Sequence, residues 1–217
     1  MHTTSGDFPS AATALANAGR SFYARGWVLG TAGNFSAVLS RDPLCLAITT
    51  SGSHKGELES KDFLIVDDSG KVLTGAGKPS AETALHVAIA QNRNVGAVLH
   101  THSVWATILS ETHARNGGFE LSGYEMLKGL AAVTTHEHSE WLPILENTQD
   151  YSALAREIAD LLVAKPEIHG ILLRRHGLYT WGRDISEARR HVEILEFLFD
   201  VAGRLYLNPE RGNAWRS

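Results

Sequence analysis

Two periods of hydrophobic and polar positions alternate along the chain, and each marks a kind of element. From Phe8 onward, Leu15, Gly19, Phe22 and Tyr23 recur at helical spacing, with Ser10 as a candidate N-cap and Gly26 as a stop. A glycine-rich turn at residues 30–33 opens onto three short β-rich runs, 35–39, 44–50 and 63–66. Polar and glycine-containing turns separate them, which predicts a meander. Ser80 is placed to cap a helix running to about Gln91, with Leu85, Ala88 and Ile89 on its apolar side, and residues 95–102 resume as a strand. A helix is expected over 103–111. Past a loop at 116–118, residues 131–146 alternate between strand and turn. Residues 151–164 set Leu154, Ile158, Leu161 and Leu162 on one helical side, and Pro166 helps to end that helix. Residues 171–181 read as strand broken at Gly177, and 184–207 as a long amphipathic helix opened by Asp184 with Glu187 three residues on. No linker, repeat or low-complexity segment interrupts the order. The pattern predicts a single α/β domain over residues 1–217, with a mixed sheet flanked by helices.

Composition narrows the function classes. At 217 residues and 43% hydrophobic content, the chain can bury one sizeable core. A net charge of -4 leaves no basic excess for a nucleic-acid footprint. No run of about 18 apolar residues is present, and residues 1–10 carry neither the basic leader nor the apolar core of a signal peptide. A cytoplasmic protein with no membrane partner is expected. The single cysteine, Cys45, excludes an internal disulfide and lies in an apolar run as a buried strand position. Eleven histidines are the compositional oddity, and only their spacing can be informative.

In Val98-Leu99-His100-Thr101-His102, two histidines two residues apart close an apolar strand and project from one face, because strand side chains alternate. His176 closes the apolar run that starts at Ile171, again at a strand end. Three neutral imidazoles with an open fourth position are the usual ligand set of a catalytic zinc site. The tripeptide alone describes separate, hydrogen-bonded strand histidines at least as well. A second pair, His136 and His138, lies in a polar stretch without a long apolar strand behind it and reads as a substrate-side or surface segment. His86, four residues after Glu82, is expected to form a simple helical pair with it.

Gly30-Thr31-Ala32-Gly33-Asn34-Phe35-Ser36 and Thr49-Thr50-Ser51-Gly52-Ser53-His54-Lys55-Gly56 border strands and suit an anion. Glycines let backbone N–H groups approach an oxyanion, Asn34, Ser51 and Ser53 add donors, and Lys55 or Lys78 can add charge. A helix start at Ser80 would present further N–H groups to phosphate. Ordinary turn chemistry describes each segment better when it is taken on its own. Two carboxylates compete as general acid or base: Glu82, in the expected first turn of the Ser80 helix, and Glu125, after the glycine at 123.

Taken together and in order, Gly33-Asn34-Phe35-Ser36, Thr50-Ser51-Gly52, Lys78-Pro79-Ser80-Ala81-Glu82, His100-Thr101-His102 and Arg175-His176-Gly177 resemble the class II, zinc-dependent aldolase and epimerase family over nearly the whole chain. Two further segments, 123–130 and 135–147, resemble the family's methylthioribulose-phosphate dehydratases more than its aldolases. The resemblance implies a three-layer α/β/α domain with a central mixed, mostly antiparallel sheet. It implies one zinc ion per subunit on His100, His102 and His176, and a sugar-phosphate pocket drawn from Gly33, Asn34, Ser51, Gly52 and Ser80. It also implies a homotetramer with sites near subunit interfaces. The aldolases usually carry Ser-Ser-Glu where this chain has Ser80-Ala81-Glu82, so one phosphate-contacting hydroxyl is missing. Glu82 matches the aldolases' metal-side glutamate and Glu125 the dehydratases' acid/base, which leaves Glu82 as a fourth ligand or a partner of the ligands. Trp105, Tyr124 and Trp141 are candidates for an apolar pocket. Aldolase or epimerase activity, and an adducin-like binding module without catalysis, stand as alternatives; the complete histidine set argues against the latter.

Overall fold

The computed structural model describes residues 7–207, so the first six residues of the expected leader-free segment and the last ten residues of the chain lie outside the described part. The first helix, α1 (Phe8–Ala24), is capped by Asp7 rather than by Ser10: the Asp7 carboxylate accepts from the Ser10 backbone N–H at 3.3 Å, and Pro9 occupies the first turn. An aspartate two residues ahead of a proline fits the start of a helix, where Pro has no N–H to lose. Gly26, at φ 77, ends it as expected.

The meander follows as β1 (Asn34–Arg41), β2 (Leu44–Thr49), β3 (Phe63–Asp67) and a short β4 (Val72–Thr74). Helix α2 (Thr83–Asn92), strand β5 (Ala97–Thr101) and helix α3 (Val104–Thr112) come next. Then come β6 (Gly118–Ser122), β7 (Ser139–Leu145) and α4 (Tyr151–Ala164), followed by β8 (Gly170–Leu173), β9 (Gly177–Gly182) and α5 (Ile185–Leu207). Strands β4 and β6 are not predicted by the pattern, since three to five residues carry too little alternation to stand out. Cys45 lies on β2 as expected but is half-buried.

The nine strands form one sheet in the order β4-β3-β2-β1-β5-β9-β8-β7-β6. Every neighbouring pair is antiparallel except β7 and β8, which run parallel and are joined by the crossover helix α4. Alternation along the strands sorts the two faces. Phe35, Ala37 and Leu99 pack under α1 and the start of α5, and Leu172 and Leu178 pack under α3 and α5. Val98, Ile171, Leu173 and Tyr179 point the other way, against α2 and α4. These layers are the expected three-layer α/β/α arrangement. Among the described residues no helix is long and apolar enough to cross a membrane.

The sheet has two ends, and chemistry collects at one of them. The C-terminal ends of β5, β7 and β8 and the N-terminal ends of β1 and β9 share that end, because β1 pairs Asn34 with His100 and β8 pairs Leu173 with Gly177. Gly177 at the start of β9 lies against the end of β5: a Cβ there would lie 2.0 Å from the Thr101 carbonyl oxygen. Gly177→Ala is therefore expected to lower stability by about 1–3 kcal/mol, read as a fall of several degrees in melting temperature by circular dichroism. An unchanged melting temperature would show that these strands are not in such contact.

Candidate metal centre

His100 is the fourth residue of β5, His102 follows the strand, and His176 sits in the turn between β8 and β9. The fold brings their ring nitrogens together. His100 Nε2 lies 2.7 Å from His102 Nε2 and 3.3 Å from His176 Nε2. Glu82 joins from the turn before α2, with Oε2 3.5 Å from His100 Nε2 and Oε1 3.3 Å from His176 Nε2.

Each ring is held from behind. The Nδ1 of His100 bonds the Leu178 carbonyl at 2.9 Å, so that carbonyl fixes the proton on Nδ1 and turns the Nε2 lone pair inward. The same ring stacks on Tyr179 at a centroid distance of 3.9 Å and an interplanar angle of 13°. His176 Nδ1 lies 3.2 Å from Asn147 Oδ1. The residue before it, Arg175, takes a left-handed φ of 55, which a non-glycine residue holds only when its surroundings fix it. Its N–H donates to Ser110 Oγ at 3.0 Å and its guanidinium to Glu111, which also receives Arg174. Those hydrogen bonds, first from Arg174 and then from Arg175, bring the Glu111 carboxyl down to about 2.

Burial decides the charge state. His100 is fully buried, and desolvation followed by repulsion from His102 and His176 holds it well below the usual imidazole range. His102 falls to about 4 for the same reasons, burial first and His176 second. His176 is lowered by burial against the opposing pull of Glu82. Three neutral imidazoles then face one another near neutral pH. One proton can bridge two of these nitrogens, but not three, whereas a cation satisfies all of them and the Glu82 carboxylate together. The donor set therefore fits a divalent transition metal.

Glu82 itself is positioned by a chain of contacts that the sequence did not disclose. Helix α2 begins at Thr83, with Glu82 as its N-cap residue, so Ser80 does not cap the helix as expected. The Ser80 carbonyl instead closes a tight turn by accepting from the Thr83 N–H and hydroxyl, while its own hydroxyl accepts from Glu82 N–H at 3.2 Å. Nor does His86 pair with Glu82. His86 is fully buried, which lowers it to about 3, and its Nε2 bonds Asn34 Oδ1 while its Nδ1 bonds the Ser36 hydroxyl at 2.8 Å. Asn34 Nδ2 then donates to Glu82 Oε2 at 2.5 Å and to Ser80 Oγ at 3.1 Å. Ser36, His86 and Asn34 thus aim the carboxylate at the rings. Nearby, burial first and the Glu82 charge second keep the Tyr179 hydroxyl well above the ordinary phenol range.

The expected phosphate residues gather at the same end of the sheet. Gly33 stands at φ 75, and a Cβ there would lie 2.6 Å from the His100 carbonyl, so glycine alone fits. Asn34 and Ser80 are in contact, and Ser51 and Gly52 are exposed at the end of β2. Ser51 N–H is taken by the Lys78 carbonyl at 2.8 Å. Lys55 is buried rather than presented: its ammonium donates to the carbonyls of Thr31 at 3.1 Å and Ser53 at 2.7 Å, lacing the two loops together, and burial lowers it to about 8. Lys78 is exposed.

Glu125 does not join this cluster within one chain. It opens a short helical turn after β6, its side chain is 73% exposed, and it pairs with Lys128 at 2.7 Å and approaches His136 at 3.8 Å. Ser122 pairs with Ser139 at the start of β7, whereas the metal centre lies past the end of β7, beyond Leu145. The strand length, roughly 20 Å, separates the two ends. Trp105 and Tyr124 pack against the α3–α5 side of the sheet and Trp141 against the α2–α4 side, so one chain does not gather them into a single pocket.

With this geometry, relatives are informative. The chain is 46% identical over 194 residues to a methylthioribulose-1-phosphate dehydratase of Marinobacter nauticus, covering 89% of this chain and 92% of that protein. It is 47% identical over 187 residues to the enzyme of the same name from Pseudomonas aeruginosa, covering 86% and 90%. Among solved structures, YgbL of Klebsiella pneumoniae superposes with a TM-score of 0.77 at 25% identity, over 92% of this chain and 91% of that one. The L-fuculose-1-phosphate aldolase of Thermus thermophilus shares the fold with a TM-score of 0.73 at 24% identity, over 95% and 99%. The family model described as class II aldolase and adducin N-terminal domain matches residues 13–202, and the chain belongs to that family.

Proposed function

We propose that this chain is a lyase of methionine salvage that removes water from 5-methylthioribulose 1-phosphate, giving 2,3-diketo-5-methylthiopentyl 1-phosphate. The observation that carries the reading is the convergence of His100, His102, His176 and Glu82 beside two anion-suited loops, in a chain 44–47% identical to dehydratases of that substrate. His100, His102 and His176 would hold one zinc ion, with Glu82 as a fourth ligand or as the acceptor that keeps the rings in place. Bound there, zinc would supply Lewis acidity that stabilises negative charge developing on the substrate's oxygens, worth several kcal/mol.

The protein's own groups do the rest. Gly33, Asn34, Ser51, Gly52 and Ser80 form the phosphate pocket and fix C1 at one end of the substrate. Loss of the C3 proton leaves an electron pair that forms the C3–C4 double bond as the C4 hydroxyl departs with a proton as water. The resulting enol returns to a ketone at C3 by taking a proton at C4. A carboxyl group positioned for those transfers contributes typically a hundredfold or more, and Glu125 is the residue assigned to it. Since its own triad lies at the far end of the sheet, that role belongs to Glu125 of the partner subunit, reaching the metal centre across an interface. A homotetramer in the cytoplasm is the assembly proposed. Leu29 and Val104, 58% and 66% exposed beside the centre, are apolar surface that such an interface would cover.

The direct test is incubation of zinc-loaded protein with methylthioribulose 1-phosphate and identification of the product. The diketone phosphate is expected; two carbon fragments or an inverted sugar would assign aldolase or epimerase activity instead. His102→Ala is expected to abolish activity and empty the triad of metal, and full catalytic activity in that variant would remove His102 from the site. Glu125→Gln is expected to keep the zinc at the triad and the oligomeric state while turnover falls at least a hundredfold, measured as steady-state kcat. Mixing inactive Glu125→Gln chains with inactive His102→Ala chains is expected to restore part of the activity, because a mixed interface can pair an intact triad with an intact Glu125. No restored activity in verified mixed oligomers would place both groups on one chain's own site.

A further inference from the structure

At the opposite end of the sheet from the triad, a second group of three ligand-type side chains converges. His138 and Glu140 stand two residues apart around the start of β7, and His169 immediately precedes β8, the neighbouring parallel strand. Parallel pairing puts the beginnings of the two strands side by side, and strand alternation sends His138 and Glu140 to one face. Their ligand atoms all lie within 4.8 Å of one another. Glu140 Oε2 is shared, 2.9 Å from His138 Nε2 and 2.8 Å from His169 Nδ1.

The surroundings are those that metal ligands require. His169 Nε2 donates to the Ala131 carbonyl at 2.8 Å, since a carbonyl only accepts, and Nδ1, 2.8 Å from Glu140 Oε2, shares with that carboxylate a proton that a bound ion would displace. That arrangement, with the outer ring nitrogen donating to a backbone carbonyl, is how proteins orient a metal-bound imidazole. The second oxygen of Glu140 accepts the His169 backbone N–H at 2.8 Å, which leaves Oε2 for coordination. Glu140 is only 1% exposed, and the two imidazoles, or an ion held between them, supply the compensation that a carboxylate needs there. The opposite side of Ala131 is held as well, its N–H donating to His191 Nε2 at 3.0 Å, and the next residue, Ala132, is kept at a left-handed φ of 61. Strain in a non-glycine residue beside such a cluster is characteristic of functional sites. A cavity of about 430 Å³, lined among others by His138, His169, His191 and Arg183, opens over the two imidazoles and leaves room for further ligands. His136, by contrast, is exposed on the Glu125 side and takes no part.

We propose that His138, Glu140 and His169 form a second divalent-metal site, separate from the triad, in which an ion bound by two imidazoles and one carboxylate fastens residues 131–138 to the start of β8. Ligand atoms around a tetrahedral zinc with bonds of about 2.0–2.1 Å stand about 3.3 Å apart, so Glu140 Oε2 need draw back from each ring nitrogen by only roughly 0.5 Å to admit one. The segment the ion would fasten continues directly from the turn that carries Glu125.

The test is a metal count on the full chain, stripped with a chelator, reloaded with excess Zn²⁺, desalted and measured by plasma mass spectrometry against protein concentration. Wild type is expected to retain two equivalents, His102→Ala one, His138→Ala one, and the double variant none. One equivalent in wild type and none in His102→Ala would overturn the proposal and leave the cluster as a hydrogen-bonded carboxylate between two histidines. His138 is partly exposed, which favours a folded variant; should His138→Ala fail to fold, Co²⁺ added to His102→Ala decides. Visible absorption of bound cobalt, with a rise in melting temperature, supports the second site, and absence of both rejects it. The count does not depend on which reaction the triad serves.

Discussion

Three imidazole lone pairs aimed at one point from which water is largely excluded are the constraint that shapes everything around them. Left to themselves such nitrogens repel, and burial prevents relief by protonation: His102 is brought down to about 4 and His100 further. Only a rigid frame holds that arrangement ready for a cation. The frame is the junction of β5, β8 and β9, where Gly177 packs on the Thr101 carbonyl and the Leu178 carbonyl fixes the His100 ring. The left-handed Arg175, anchored by Ser110 and Glu111, turns His176 inward.

A second layer of control comes from α2. Helix formation from Thr83 leaves Glu82 at the cap position, and the buried Ser36–His86–Asn34 chain delivers its carboxylate to the rings. The same Asn34 touches Ser80 in the proposed anion pocket, so one asparagine links that pocket to the carboxylate facing the histidines. Lys55, buried between the two loops, contributes cohesion to that pocket rather than a free charge.

The sheet also separates groups by distance. Strands of about 20 Å keep the triad away from Glu125 and from the His138–Glu140–His169 cluster within one chain. Two carboxylates that compete for one role in the sequence therefore lie in different places: Glu82 against the three histidines, and Glu125 exposed at the far end of the sheet. In the proposed tetramer, assembly becomes part of the chemistry.

The strand-end placement of His100, His102 and His176 is legible from the chain alone, because period-two alternation and the apolar runs before these histidines are local signals. Most helices and the β1–β3 part of the meander are legible in the same way, from the spacing of their apolar residues, although the caps Ser10 and Ser80 are displaced to Asp7 and Glu82. The pairings between distant residues came from the tertiary structure: Asn34 with His86, Lys55 with the Thr31 carbonyl, His169 with Glu140. Ser80 read as a helix cap, but its carbonyl was already committed to the turn with Thr83. Strands as short as β4 and β6 carry no readable period, and their place comes from pairing with β3 and β7. Local patterning fixes which way a side chain points, whereas the strand order fixes what it meets, and that order is settled by burying two faces of one sheet at once.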